Sequence, residues 1–241
     1  MTDAKRDWTI FMKKLAMCAV ALWAAFSGPL VADSPVVVEL FTSQGCSSCP
    51  PADRVLAEIA DRDDVIAIAL HVDYWDYLGW KDEFADPMYT QRQRAYARAK
   101  GKRTVYTPQM IVGGVDHIVG TRPMELADLL QKHKEAGNPV RVTLQRDGDR
   151  VRIAAVGNVG GEAVVQILTY MPKSTVDIRR GENAGKRLTY HNTVNKIVKL
   201  ADWQDGSEYR ASVQMPDPDA PVVVLVQRKG AGPILGAARL R

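Results

Sequence analysis

Apolar runs and stretches with helical apolar spacing alternate along the first half of the chain. Residues 36–41 and 65–70 are uninterrupted apolar runs, which is typical of buried strands. Between them, apolar side chains at positions 52–60 recur every three or four residues and predict a helix. The same reading predicts helices at 88–100 and 121–136 and strands at 110–112 and 115–119. The order strand, helix, strand, helix, strand, strand, helix predicts an α/β fold.

Beyond residue 139 the pattern changes to short alternating stretches without helical periodicity. Residues 140–144 and 151–153 alternate apolar and polar positions around Asp147-Gly148, which predicts a hairpin. Turn-forming residues separate further strand candidates at 163–169, 175–178, 188–190, 196–200, 209–213, 222–227 and 234–240. Many short strands of this kind favour a β-sandwich-like domain. We therefore expect two domains, residues 33–138 and residues 139–241.

The first 32 residues have the layout of a secretory signal peptide. Lysines at positions 13 and 14 precede an apolar run at 15–26, and small residues before Asp33 offer a cleavage point. The alternative is an uncleaved membrane anchor, although the run is short for a transmembrane helix. We expect the mature chain to act in the periplasm or outside the cell and to meet the membrane only transiently, during export.

The composition indicates an ordinary globular protein and gives little further information on function. The chain has 241 residues, of which 46% are hydrophobic and 25% charged, as is normal for a globular protein. Its formal net charge of +4 is mild. The charge therefore gives no reason to expect nucleic acid as a partner.

The candidate chemistry lies in Cys46 and Cys49, a C-x-x-C between the first predicted strand and the first predicted helix. Pro50 and Pro51 follow, and proline is favoured in a first helical turn. A helix N-terminus stabilises an anion, which here would be a thiolate. A structural zinc site would need about four ligands, and the sequence has no second C-x-x-C. An inert structural disulfide is the other alternative, but so short a loop would stabilise the fold little.

Four stretches of the sequence carry a resemblance to known proteins. They are ELFTSQGCSSCPPAD, HVDYWDYLGWKDEFA, VYTPQMIVGG and RGENAGKRLTYHN. Together they resemble the bacterial exported family catalogued as domain of unknown function 1223. The C-x-x-C at a first strand-to-helix junction and Thr107-Pro108 just before a strand also resemble the thioredoxin fold. The resemblance implies a thioredoxin-like domain followed by a second β-rich region, with a cis proline at Pro108 facing the cysteines. Thr107 and Pro108 are therefore candidate substrate contacts.

Three further residues complete the candidate site. Glu39 lies on the strand that leads to the cysteines, and the thioredoxin resemblance implies a buried acid there that exchanges a proton with the resolving cysteine. The alternative is a strand-edge carboxylate in solvent. Trp75 and Trp80 follow the second strand, so they are candidate substrate contacts flanking the cysteines. The alternative for these two is an aromatic-packed insertion with a solvated acidic rim.

The motif at 179–183 also has two interpretations. It forms either a turn between strands or an edge of the active-site cleft. The sequence favours the turn.

Two functional hypotheses follow. The first is an exported thiol–disulfide oxidoreductase without cofactor or metal, in which an exposed Cys46 attacks a protein or small-molecule disulfide and a less exposed Cys49 resolves the mixed disulfide. It would need a redox partner, and the sequence leaves reductase, oxidase and isomerase open. The second is a non-enzymatic copper-binding or protein-binding module on a thioredoxin-like scaffold, with His71 as a third copper ligand beside the two cysteines.

Overall fold

The structure is a computed structural model that describes residues 34–204 and 208–241. The predicted signal peptide, residues 1–32, lies outside the described residues. None of the helices described in those two ranges is long and apolar enough to cross a membrane.

The first half of the described chain alternates strands and helices in the predicted order. Its elements are β1 (Val36–Thr42), α1 (Pro50–Ile59), β2 (Val65–His71), a single 3-10 turn (Asp76–Leu78), α2 (Pro87–Ala99), β3 (Gln109–Val112), β4 (Asp116–Val119) and α3 (Pro123–Ala136). Each of the three helices has proline in its first turn, where the missing N–H has no partner to lose. Asp86 additionally caps α2, because its carboxylate accepts the Met88 N–H at 2.7 Å.

The second half of the chain contains only strands. They are β5 (Val140–Asp147), β6 (Arg150–Gly157), β7 (Glu162–Asp177), β8 (Arg187–Gln204), β9 (Tyr209–Gln214), β10 (Val222–Arg228) and β11 (Ile234–Leu240). The predicted hairpin around Asp147-Gly148 is confirmed, since β5 and β6 pair antiparallel across it.

Strands from both halves of the chain share one large sheet. Its order is β11-β10-β7-β8-β2-β1-β3-β4, and β5-β6-β9 form a separate three-stranded sheet. In the large sheet β1 pairs parallel with β2 and antiparallel with β3, and β2 meets β8 at a single parallel bridge, Ala69 with Thr193. The mixed α/β class predicted from the sequence is therefore confirmed.

Strands β7 and β8 are longer than predicted. The expectation of four short strands at 163–169, 175–178, 188–190 and 196–200 is wrong, because β7 and β8 run for 16 and 18 residues. The polar residues and Pro172 suggested breaks, but β7 passes Pro172 opposite Asn192, where the ladder skips one pair and Asn192 adopts a positive φ of 48°. A proline is tolerated within a strand where the pairing is already interrupted.

The side chains of β1 alternate between two helical layers. Val36, Val38 and Leu40 pack in one cluster with residues of α1 and α3. Val37 and Phe41 pack in another with Tyr89 and Tyr96 of α2. A strand points successive side chains to opposite faces, so the parity of a position on β1 decides which helix it meets.

A third core joins the two sheets. Apolar residues of β5 and β6 pack with those of β7, β10 and β11 in a separate buried cluster. The small sheet therefore lies on the end of the large sheet that is far from β3 and β4.

Candidate functional site

Cys46 and Cys49 form a disulfide at the junction of β1 and α1. Cys49 is the N-cap of α1, and its carbonyl accepts the N–H groups of Ala52 and Asp53 at 2.8 and 3.1 Å. Pro50 and Pro51 carry no N–H, so this helix start offers fewer free donors than the sequence argument for a stabilised thiolate assumed.

The prediction that Cys46 is exposed is wrong. The exposed fraction is 1% for Cys46 and 0% for Cys49, whereas Ser47 and Ser48 between them are exposed. The pair therefore presents its connecting residues to solvent and keeps both sulfur-bearing residues buried.

A distant segment of the chain accounts for this burial. The β7–β8 loop, residues 178–186, reaches the cysteine loop through Glu182 and Asn183. The Asn183 amide donates to the carbonyls of Gln44 and Cys46, both at 2.9 Å, and the Glu182 carboxylate accepts the Ser47 N–H at 3.1 Å. The motif at 179–183 is thus both a turn between strands and a wall of the site.

The two predicted tryptophans do lie at the cysteine loop. The indole N–H of Trp80 donates to the Gln44 side chain at 2.7 Å. Trp75 packs so closely on Gly45 that a Cβ at Gly45 would lie 3.0 Å from that of Trp75. Its indole N–H donates to the Thr107 hydroxyl at 2.7 Å.

Trp75 thereby connects the cysteine loop to the Thr107-Pro108 loop. The Thr107–Pro108 peptide bond is cis, as the sequence predicted. The Pro108 carbonyl accepts the Gly120 N–H at 3.0 Å, and a Cβ at Gly120 would meet both Pro108 and Ala52 of α1. The structure therefore gathers Trp75, Trp80, Thr107 and Pro108 around the start of α1.

Glu39 does not join this group. It is fully buried on the α2 face of β1, where Arg92 donates to its two carboxylate oxygens at 2.6 and 3.2 Å and the Tyr96 hydroxyl donates to it as well. Gln227 also accepts from Arg92 at 3.0 Å. The alternative of a solvent-exposed carboxylate is wrong, and the contacts of Glu39 are those of an internal ion pair away from α1.

Asp53 is the acid that the sequence reasoning missed. It lies on α1 four residues after Cys49, a spacing that places two side chains on one helix face. Its side chain faces β1, where Oδ1 accepts the Thr42 hydroxyl at 2.8 Å, while Oδ2 is buried without a hydrogen bond within the described residues. Burial raises the pKa of Asp53 to about 7, against a smaller lowering by the charge of His71 and by the Thr42 hydrogen bond.

His71 and Asp82 form a buried pair next to Asp53. The His71 Nδ1 lies 2.7 Å from Asp82 Oδ2, and that oxygen also accepts the Gln44 N–H at 2.8 Å. Burial acts to raise the pKa of Asp82, but the charge of His71 and the hydrogen bonds from His71 and Gln44 outweigh it, so the pKa is lowered. Asp82 thereby ties the cysteine loop to the end of β2.

The residue types around the cysteines do not form a recognisable metal centre. Within residues 34–204 and 208–241, no three or more His, Cys, Asp or Glu side chains are placed to hold a metal ion together. The hypothesis that His71 completes a copper site with the two cysteines therefore has no support in the geometry.

A family model describes the same stretch of chain. The model for a protein of unknown function, DUF1223, matches residues 37–227. The chain belongs to the DUF1223 family. The DUF1223 match runs from β1 to β10 and includes the cysteines, the cis-proline loop and the β7–β8 loop. No curated protein has a significant match to the chain.

Two solved structures resemble this DUF1223 chain. One is the crystal structure of a protein from Agrobacterium tumefaciens, 36% identical, with a TM-score of 0.75 over 85% of this chain and 93% of that chain. The other is HBP35 of Porphyromonas gingivalis, 15% identical, with a TM-score of 0.63 over 86% of this chain and 75% of that chain. At that lower identity the second likeness shows the fold alone.

Proposed function

We propose that this protein is an exported thiol–disulfide oxidoreductase whose Cys46–Cys49 pair exchanges with the disulfide of a protein or small molecule. The observation that carries the proposal is a disulfide with a sequence separation of 3, placed one helical turn before a buried carboxyl group with a pKa of about 7. A loop this short removes little entropy from the unfolded chain, so stability is a weak reason for the bond. A titratable acid beside a cysteine pair is what proton-coupled exchange requires.

The scaffold supports the same proposal. We infer a thioredoxin-like domain in residues 33–138, supported by the order from β1 to α3, the C-x-x-C at the β1–α1 junction and the cis bond before Pro108. The β-sandwich-like domain inferred for residues 139–241 is supported by the apolar cluster between the small sheet and β7, β10 and β11. The two inferred domains share the large sheet through the β2–β8 bridge and share a buried apolar cluster.

The proposed exchange with a disulfide substrate has two steps. A Cys46 thiolate attacks one substrate sulfur, which forms a mixed disulfide and releases the first substrate thiolate. Cys49 then loses its proton and attacks the Cys46 sulfur, which closes the Cys46–Cys49 disulfide and releases the second thiolate. Because Cys46 is buried in the disulfide state, the β7–β8 loop must move aside for substrate to reach it.

Asp53 takes the proton-transfer role that the sequence assigned to Glu39. Its side chain shares a helix face with Cys49, and its free oxygen is an acceptor for the Cys49 proton. A base is most effective when its pKa is close to the working pH, and a pKa of about 7 meets that condition. Glu39 cannot serve this role without breaking its ion pair with Arg92.

A turnover assay tests the proposal. We expect the mature protein to accelerate the reduction of insulin disulfides by dithiothreitol, whereas Cys46→Ser should have no activity because no attacking thiolate remains. Glu58→Gln keeps both cysteines, changes an exposed position on α1 and serves as the control, with activity close to the parent. If the parent protein gives the same rate as Cys46→Ser, the oxidoreductase proposal is refuted.

A further inference from the structure

The carboxylate of Glu182 accepts a hydrogen bond from the backbone N–H of Ser47, the residue that directly follows Cys46. The Ser47 N–H donates to Glu182 Oε2 at 3.1 Å. Hydrogen bonds from the Ser47 hydroxyl and from this N–H hold the pKa of Glu182 below its usual range, so the group is ionised at neutral pH. Within the described residues Glu182 has no Lys, Arg or His partner within salt-bridge distance, so the described chain leaves its charge unpaired.

Several other backbone positions at this helix start also offer no free N–H to a Cys46 thiolate. The Cys46 N–H donates to the Ser43 carbonyl and the Cys49 N–H to the Cys46 carbonyl, both at 3.2 Å. Pro50 and Pro51 have no N–H to give. Ser48 is the neighbouring residue that can donate to a Cys46 thiolate, and its hydroxyl lies 3.4 Å from the Cys46 sulfur.

A thiolate at Cys46 would therefore form beside a negative charge and without the amide of Ser47. A neighbouring like charge disfavours the ionised form of a group. Disulfides become strong oxidants when their reduced form is stabilised, and the opposite arrangement favours the disulfide and makes the dithiol a stronger electron donor. The surroundings of Cys46 thus destabilise the reduced state.

We propose that Glu182 sets the direction of the exchange, so that the reduced Cys46–Cys49 pair acts as a reductase of substrate disulfides. This inference rests on the proposed function and assigns it a direction. In each turnover the two cysteines lose two electrons and two protons to the substrate, whose disulfide becomes two thiols, while the Cys46–Cys49 bond forms. A second dithiol protein must then reduce that bond and become oxidised in turn.

Redox equilibrium measurements on the mature protein test the role of Glu182. The protein is equilibrated in mixtures of reduced and oxidised dithiothreitol, and the reduced fraction is read by alkylation and intact mass. Glu182→Gln keeps an acceptor oxygen for the Ser47 N–H and removes the charge, whereas Glu182→Ala removes both. Glu58→Gln is the matched control, because it removes the same charge from an exposed position on α1.

The expected results form a graded series. Glu182→Gln should shift the equilibrium toward the dithiol by about fivefold, and Glu182→Ala by about tenfold, which corresponds to about 30 mV. Glu58→Gln should leave it unchanged. A second reading uses thiolate absorbance in the Cys49→Ser background, where Glu182→Gln should lower the pKa of the Cys46 thiol.

The outcomes separate this inference from the proposed function. If the disulfide of the folded parent protein does not exchange with dithiothreitol at all, both are refuted. If it exchanges, but the equilibrium constant of Glu182→Gln equals that of the parent or shifts toward the disulfide, the assignment of direction to Glu182 fails and the exchange proposal stands.

Discussion

Glu39 and Asp53 are two buried carboxyl groups on opposite faces of the same strand. Glu39 belongs to β1 itself and meets Arg92 and Tyr96 of α2. Asp53 belongs to α1 and meets β1 through Thr42, the last residue of the strand. Glu39 has an oppositely charged partner at 2.6 Å, whereas Asp53 has a hydroxyl on one oxygen and, in the described part of the chain, no hydrogen bond on the second.

The difference separates a structural acid from a titrating one. A buried carboxylate with a bidentate guanidinium partner holds two elements together. A buried carboxyl without a hydrogen-bonded cation is half protonated near neutral pH, as the pKa of about 7 for Asp53 indicates. Burial alone therefore does not identify a proton-transfer group. A buried carboxyl group that lacks a hydrogen-bonded cation and has an oxygen without a hydrogen bond is the better candidate.

Removing the cation from the Glu39 pair should give the largest loss of stability. Arg92→Gln leaves the Glu39 charge buried without its partner, which typically costs about 3–5 kcal/mol. Urea denaturation of the oxidised protein measures the change in the free energy of unfolding.

A double variant controls for this result. Glu39→Leu combined with Arg92→Leu removes both charges and should recover most of the loss, because a well-packed apolar pair can replace a buried ion pair. If Arg92→Gln is as stable as the parent protein, the interpretation of Glu39 as a structural acid is wrong.

Replacing Asp53 should increase the stability of the fold, in contrast to replacing Arg92. The folded pKa of about 7 exceeds the ordinary value of 3.8, so folding takes up a proton between these values and stability falls as pH rises through that window. Asp53→Asn removes this dependence and should raise the free energy of unfolding by about 4 kcal/mol at pH 8. The measurement is urea denaturation at several pH values between 4 and 8.

Asp53→Asn also tests whether Asp53, unlike Glu39, transfers a proton during the exchange reaction. Asp53→Asn cannot accept the Cys49 proton, so closure of the disulfide from the mixed disulfide should slow by about 100-fold. Rapid-quench alkylation after mixing with a model disulfide follows this step. An unchanged rate would contradict the proton-transfer role of Asp53, whatever its effect on stability.

A smaller loss of stability is expected when Asn183, in the β7–β8 loop that covers Cys46, is replaced. Asn183→Ala removes the donor to the Gln44 carbonyl and leaves the Cys46 carbonyl with only the Cys49 N–H, and an unpaired buried acceptor costs about 1–3 kcal/mol. We expect a loss of about 2 kcal/mol in the free energy of unfolding and faster alkylation of Cys46 in the reduced protein. Slower or equal alkylation would show that the β7–β8 loop does not limit access to Cys46.

The sequence predicted the site through local signals. Apolar runs, the prolines at 50 and 51 and the C-x-x-C placed the cysteines between β1 and α1, and the structure has them there. Trp75 and Trp80 were placed near the cysteines because they follow β2, which pairs with β1 in parallel. These expectations needed only neighbouring elements.

The predictions for Glu39 and for the exposure of Cys46 were wrong because elements distant in sequence determine the surroundings of these residues. Period-two alternation shows that Glu39 and Thr42 face opposite ways, but which face α1 covers depends on the topology of the sheet. The burial of Cys46 depends on Asn183, whose side chain meets Cys46 across 137 positions of sequence. No periodicity within either segment predicts that contact.

The most direct test of thiol–disulfide exchange compares Cys49→Ser with Cys46→Ser. Each purified variant is mixed with glutathione disulfide at neutral pH and then analysed by intact mass without a reductant. We expect Cys49→Ser to accumulate one glutathione adduct on Cys46, because the attacking thiol remains and the resolving thiol is gone. Cys46→Ser should acquire the adduct far more slowly, because moving the β7–β8 loop aside uncovers Cys46, whereas Cys49 is the N-cap of α1 and stays buried. Equal rates in the two variants, or no adduct in either, would contradict the division of roles between the cysteines and with it the proposed function.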